Sequence, residues 1–165
     1  WDEQNTVSSI RISNNHMKYW GVTEEELYRQ VKRNMNEMDE SSICSLAEIV
    51  AGMTGDIPEE ILSSISREYV QMYVLTNKNG VNGAVEMLND ELLRRFSAMC
   101  EKDLIVIPSS IHECILIPAS EKMADWGCIA QMVREINDTM VAENEVLSYH
   151  VYKYERQTGT MTIAA

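Results

Sequence analysis

Between Asp103 and Pro118 the chain reads DLIVIP, two serines, then IHECILIP. These are two nearly continuous apolar runs roughly three residues apart. Apolar residues without a polar alternation suit strands whose two faces are both covered. The short connection makes the two strands neighbours. The rest of the chain must therefore supply a sheet around them and helices to cover it.

The flanking segments can do this. VSSIRISN alternates and predicts a strand from about Thr6 to Ser13, with HMKYWGV as a connecting turn. In TEEELYRQVKRNMNEMDE, Thr23 and Glu26 form a capping box, and Leu27, Val31, Met35 and Met38 recur at helical spacing. Ser45 and Glu48 repeat the box before a stripe of Leu46, Ile49, Val50 and Met53. Asp56 and Pro58 predict the start of a short helix. YVQMYVLTN predicts a strand, NKNGVNG a turn, and GAVEML the returning strand of a hairpin. NDELLRRFSAMCEK predicts a helix with Leu92, Leu93, Phe96, Met99 and Cys100 on one side. DWGCIAQMVREINDTM predicts another, with Trp126, Ile129, Val133, Ile136 and Met140 as its buried stripe. HVYKYERQTGTMTIA closes as a hairpin that turns at RQTG. The expected fold class is α+β: an antiparallel or mixed sheet built from successive hairpins and flanked by amphipathic helices. The expected organisation is a single domain over residues 1–165, which can bury roughly 70% of the surface its unfolded chain exposes.

Charge narrows the partners. The net charge is −12 and the pI about 4.6. An acidic surface repels phosphate backbones and anionic lipid, and Lys32–Arg33 and Arg94–Arg95 are isolated pairs. Neither nucleic acid nor membrane is expected as a partner; protein or a small molecule is. No run approaches the length of a membrane span, and the given amino end has no charged n-region with an apolar h-region. Cys44, Cys100, Cys114 and Cys128 include no C-x-x-C pair, and three sit in apolar contexts. That pattern fits reduced thiols and a cytoplasmic location.

Three stretches together resemble a family of uncharacterised bacterial proteins. They are ISNNHMKYWGVTEEELY, matching N-x-H-x-x-x-W-G-x-T-x-E-E-L, then MYVLTNKNGVNGAVEML, matching T-N-x-x-x-x-N-G-A, and DLIVIPSSIHECILIP, matching P-S-S-I-H-E. REINDTMVAENEVLSYHVYKYER extends the likeness over nearly the whole chain. Members are usually longer at the amino end, so the resemblance implies that a chain starting at Trp1 is a carboxy-terminal portion. It implies no activity and no catalytic residue.

The candidate sites follow from residue types. Ser109 or Ser110 as nucleophile, His112 as base and Glu113 as its orienter would make a hydrolase. Neighbouring positions do not supply triad geometry, and no G-x-S-x-G elbow is present. A tight turn opened by Pro108, with the serine hydroxyls on local backbone, is the favoured reading. His112 and Cys114 share a strand face, half of a zinc site at most. No cofactor or metal is expected. TNKNGVNG has the glycines and asparagines of an anion cradle, but it does not open a helix as a phosphate loop does. His16, Tyr19 and Trp20, with Tyr152 and Tyr154 near the end, are the candidate binding surface. Acidic residues such as Glu24, Glu25, Glu26, Glu59 and Glu60 are accounted for by helix starts. The leading expectation is a non-catalytic interaction or ligand-binding module. A metal-dependent or Ser/His hydrolase centred on Ser109–Glu113 is the rival.

Overall fold

A computed structural model of the chain describes residues 10–38, 40–54, 71–120 and 125–165. Backbone packing separates two units, Trp1–Glu37 and Met38–Ala165.

In the first unit, α1 spans Asn14–Trp20 and α2 starts at Glu24 and runs to Met38. The Thr23–Glu26 box is present: the Thr23 amide donates to Glu26 Oε2 at 2.8 Å, and the Glu26 amide to Thr23 Oγ1 at 3.2 Å. The Thr23 amide and hydroxyl hold the Glu26 carboxyl below its ordinary pKa. Leu27 and Met35 are half-buried, whereas Val31 is exposed. HMKYW is helix rather than connecting turn. His16 Nδ1 accepts the Ser13 amide at 3.1 Å, and Gly21, at φ 68, closes α1 with its amide on Lys18 O. The strand expected from about Thr6 to Ser13 is absent over Ile10–Ser13, and its earlier residues lie outside the described ones.

The second unit holds a six-stranded sheet, ordered β1-β2-β4-β3-β5-β6, every neighbouring pair antiparallel. Its strands are β1 Ser41–Ser45, β2 Tyr73–Asn77, β3 Leu104–Pro108, β4 Cys114–Pro118, β5 Tyr152–Glu155 and β6 Thr160–Ile163. Its helices are α3 Leu46–Thr54, α4 Asp90–Cys100 and α5 Trp126–Thr139, with a 3₁₀ helix at Gly83–Leu88. This is the α+β architecture expected.

The two apolar runs occupy the centre. Leu104 pairs with Pro118 and Pro108 with Cys114, so β3 and β4 form one tight hairpin. Every residue of β3 is buried. Alternation then divides the strand between two cores. Leu104 and Val106 face Leu75, Leu116, Tyr154 and the α4 side chains Leu93 and Phe96. Ile105 and Ile107 face Ile117, Val151 and Val133 of α5. Each such side chain contributes about 1.5–3 kcal/mol relative to exposure.

Several local expectations are corrected. GAVEML is 3₁₀ helix, not a returning strand. The places beside β2 are taken by β1 and β4, and Asn82 at φ 55 turns the chain out of the sheet. SSICS, too short and polar to be read as a strand, forms β1 by pairing with all of β2. Met99 is exposed, as are Ile136 and Met140; Asn137 takes the buried place on α5 and donates to Ser148 O at 3.0 Å. Cys128 is exposed at the α5 start, where its amide and thiol donate to the two Asp125 carboxylate oxygens at 3.0 and 3.1 Å. At Ser45–Glu48 the Ser45 amide donates to Glu48 Oε2 at 3.3 Å. The side chains of Val50 and Met53, and the segment with Asp56 and Pro58, lie outside the described residues.

Candidate functional site

The β3–β4 turn is built from local hydrogen bonds. The Ser109 and Ser110 amides both donate to Glu113 O, at 3.1 and 3.2 Å. Buried Ser110 accepts the His112 amide on its Oγ at 3.0 Å. Its hydroxyl therefore faces the His112 backbone, and the imidazole points elsewhere. Nδ1 accepts the Asn82 amide at 3.1 Å, and Nε2 lies 3.6 Å from Glu145 Oε1. An accepting Nδ1 carries no proton, so the neutral ring's hydrogen sits on Nε2, toward the carboxylate. The structure thus brings His112 to Glu145 and Asn82, not to Ser109 or Ser110, and uses Glu113 through its carbonyl.

This turn is a junction for two distant loops. Thr76 Oγ1 donates to His112 O at 2.8 Å, and the Ala84 amide to Ile111 O at 3.2 Å. From the other side the Ile111 amide donates to Glu145 O at 2.9 Å. Cys114 lies beneath with Sγ directed at Ala84 O, 3.6 Å away, and burial pushes its thiol up to about 12. The asparagine-rich loop folds on itself: Asn77 Oδ1 accepts the Asn79 and Val81 amides, and its Nδ2 donates to Val81 O at 2.8 Å. These two amides close the loop on itself, while the Lys78 amide donates to Glu40 O and the Asn82 amide to His112 Nδ1, so the segment is a turn, though not one that joins two strands. Among the described residues no group of three or more His, Cys, Asp or Glu side chains is placed to hold a metal ion.

Beside this junction runs a groove of about 610 Å³. Ala84, Val85, Met87 and Leu88 of the 3₁₀ helix make one wall, and Met161 and Ile163 of β6 the other. Asn82, Pro108 and Ile111 bring the turn to its end, and Leu147, Ser148 and Tyr152 complete it. Val85, Leu88, Leu147 and Ile163 are exposed despite being apolar. The polar groups inside are uncharged: Ser148 Oγ and Tyr152 Oη lie 3.2 Å apart, and Ser148 Oγ also accepts the His150 amide at 3.0 Å. His112 ties together the loops at the groove's end, one through Asn82 and the other through Glu145.

Of the expected binding residues, only Tyr152 lines this groove. Tyr154, two residues on, is 1% exposed in the core, so its place on a binding surface is corrected. Among the described residues its hydroxyl makes no hydrogen bond at normal distance, and burial raises its pKa while Arg94 nearby pulls it down. His16, Tyr19 and Trp20 sit on the first unit, where His16 stacks on Trp20 at 5.5 Å and Tyr19 is 90% exposed. The sequence does not reveal the groove, because its wall, GAVEML, has a strand-like composition and no local spacing marks it as a helical edge.

Comparison with known proteins adds family and little more. The sequence model of a family described as a family of unknown function (DUF5688) matches residues 1–156. Trigger factor of Chlorobium phaeobacteroides is 32% identical over 108 residues, or 65% of this chain. The chain spans only 24% of that relative's length. No solved structure matches.

Proposed function

This chain belongs to the DUF5688 family, whose description assigns no activity, and on that premise we propose a non-catalytic binding module of a cytoplasmic bacterial protein, with the groove beside the His112 junction as its site. The observation that carries the reading is the groove itself. Its volume of about 610 Å³ falls within the range of ligand pockets, and its walls are exposed apolar side chains around an uncharged hydroxyl pair. Apolar walls favour a ligand with apolar bulk, and Ser148 and Tyr152 can exchange hydrogen bonds with one neutral polar group on it. Ser110 supports the non-catalytic side, because its hydroxyl is held by a backbone amide.

The test is a fluorescence titration with anilinonaphthalene sulfonate. Saturable binding is expected. Leu88→Asp or Leu147→Asp should weaken it about tenfold, since a carboxylate in an apolar wall costs at least about 1.4 kcal/mol on dehydration. Met99→Asp, at another exposed apolar position, should leave it unchanged. Equal weakening by all three variants, or no saturable binding, would refute the groove as the site.

A further inference from the structure

Resting on the groove reading, we infer that its occupant is an extended, basic segment of another polypeptide, apolar at alternate positions, that adds a strand to the outer edge of β6. Two features meet here. β6 ends the sheet order, so its outer edge has no strand partner among the described residues. The same strand supplies Met161 and Ile163 to the groove.

The register shows how one segment would use both. Met161 stands opposite Tyr154 and Ile163 opposite Tyr152, so their side chains lie on the groove face. Val151 exchanges backbone hydrogen bonds with Ala164 and Ala165. By antiparallel alternation Lys153 and Glu155 turn theirs toward Thr162 and Thr160. The N–H and C=O groups of Met161 and Ile163 then point away from β5, to the edge that no described strand covers. An added strand would satisfy them, and every second side chain would fall on the groove face beside Ile163 and Leu88. This is recognition by strand addition: the backbone supplies attachment and alternate pockets supply selectivity. β6 is short, but it contains no proline, lysine or other charge to block pairing along its four residues.

Charge selects the partner. The chain carries −12, and the groove's end is marked by the half-exposed Glu145 carboxylate. A segment with lysine or arginine beside its apolar positions is attracted, while a second copy of this chain meets like charge. The family match ends at residue 156, before β6, so family membership says nothing about this edge.

The test uses a nine-residue peptide of alternating valine and threonine with a lysine at each end. One control peptide has serine for every valine at the same charge; another has alternate backbone nitrogens methylated. Binding is followed by titration and by amide hydrogen exchange. The first peptide should bind at least tenfold tighter than either control, slow exchange at Met161 and Ile163 at least tenfold, and lose affinity with Leu88→Asp. Equal binding of the methylated peptide, or unchanged exchange at those two amides, overturns strand addition. Equal binding of the serine peptide reduces the effect to charge and overturns it too. If the dye binds the groove but no peptide does, the inference fails while the binding-site reading stands. If neither binds, both fail. Self-association that protects the same amides without peptide makes the occupant a second copy and overturns the inferred partner.

Discussion

Gly83 is where the two family-like motifs touch, and replacing it with alanine tests the junction directly. A Cβ at this position would overlap Thr76 Oγ1 and come within 2.6 Å of Asn77 N and 2.7 Å of His112 O. Rotating Thr76 relieves the first contact. The other two atoms are backbone, one in β2 and one in the β3–β4 turn, so no rotamer relieves them. Overpacking of this kind costs about 1–3 kcal/mol. The 3₁₀ helix must back away from the turn, which stretches the Asn82–His112 and Ala84–Ile111 hydrogen bonds, each contributing about 1 kcal/mol. With partial relaxation the expected loss is about 2–4 kcal/mol, a large part of the roughly 5–15 kcal/mol that holds an ordinary domain together. Urea unfolding followed by circular dichroism measures it, and a drop of about 1–2 M in midpoint is expected at a typical slope. Gly52→Ala is the control. It is helical with nothing among the described residues within 4 Å of the added carbon, so it should gain about 0.5–1 kcal/mol. A Gly83→Ala protein within about 0.5 kcal/mol of the parent would show that the junction gives way freely, and the account of how the groove is held would be wrong.

Three further outcomes follow from charge and burial. Asp103 accepts the Arg156 amide at 3.0 Å and lies 3.1 Å from Lys153 Nζ, and these contacts hold its carboxyl below its ordinary pKa. A lowered folded-state pKa adds stability above the unfolded value of about 3.9 that is lost as pH falls through the folded one. Thermal melts should therefore show the parent above Asp103→Asn at pH 7 and the gap closing below about pH 4; a constant gap contradicts this. In thiol labelling at pH 8, exposed Cys44 and Cys128 should react and buried Cys114 only after unfolding. Because the Asp125 carboxylate raises the Cys128 thiol, Asp125→Asn should speed its labelling, and an unchanged rate would remove that role for the hydrogen bond.

What the sequence determined by itself was local or periodic. The β3–β4 runs announced a doubly covered hairpin because continuous burial leaves no polar alternation. Thr23 and Glu26 announced a helix start because a capping box closes within three residues. Pro108, Ser109 and Ser110 announced a turn because their bonds go to Glu113 and His112 close by. Met99, Ile136 and Met140 misled because an apolar residue at helical spacing is buried only where something packs over it. The α1 helix is not legible in the sequence because its start depends on a histidine cap, nor is β1, because its strand character comes from pairing with β2. What only the tertiary structure decided was the groove and the use of His112. His112 meets Asn82 across 30 residues and Thr76 across 36. Those contacts arise because the sheet order sets β4 beside β2, against which the 3₁₀ helix packs. T-N-x-x-x-x-N-G-A and P-S-S-I-H-E read as two separate turns along the chain; folded, they are the two sides of one contact, fixed by strand order and by the lack of a side chain at Gly83.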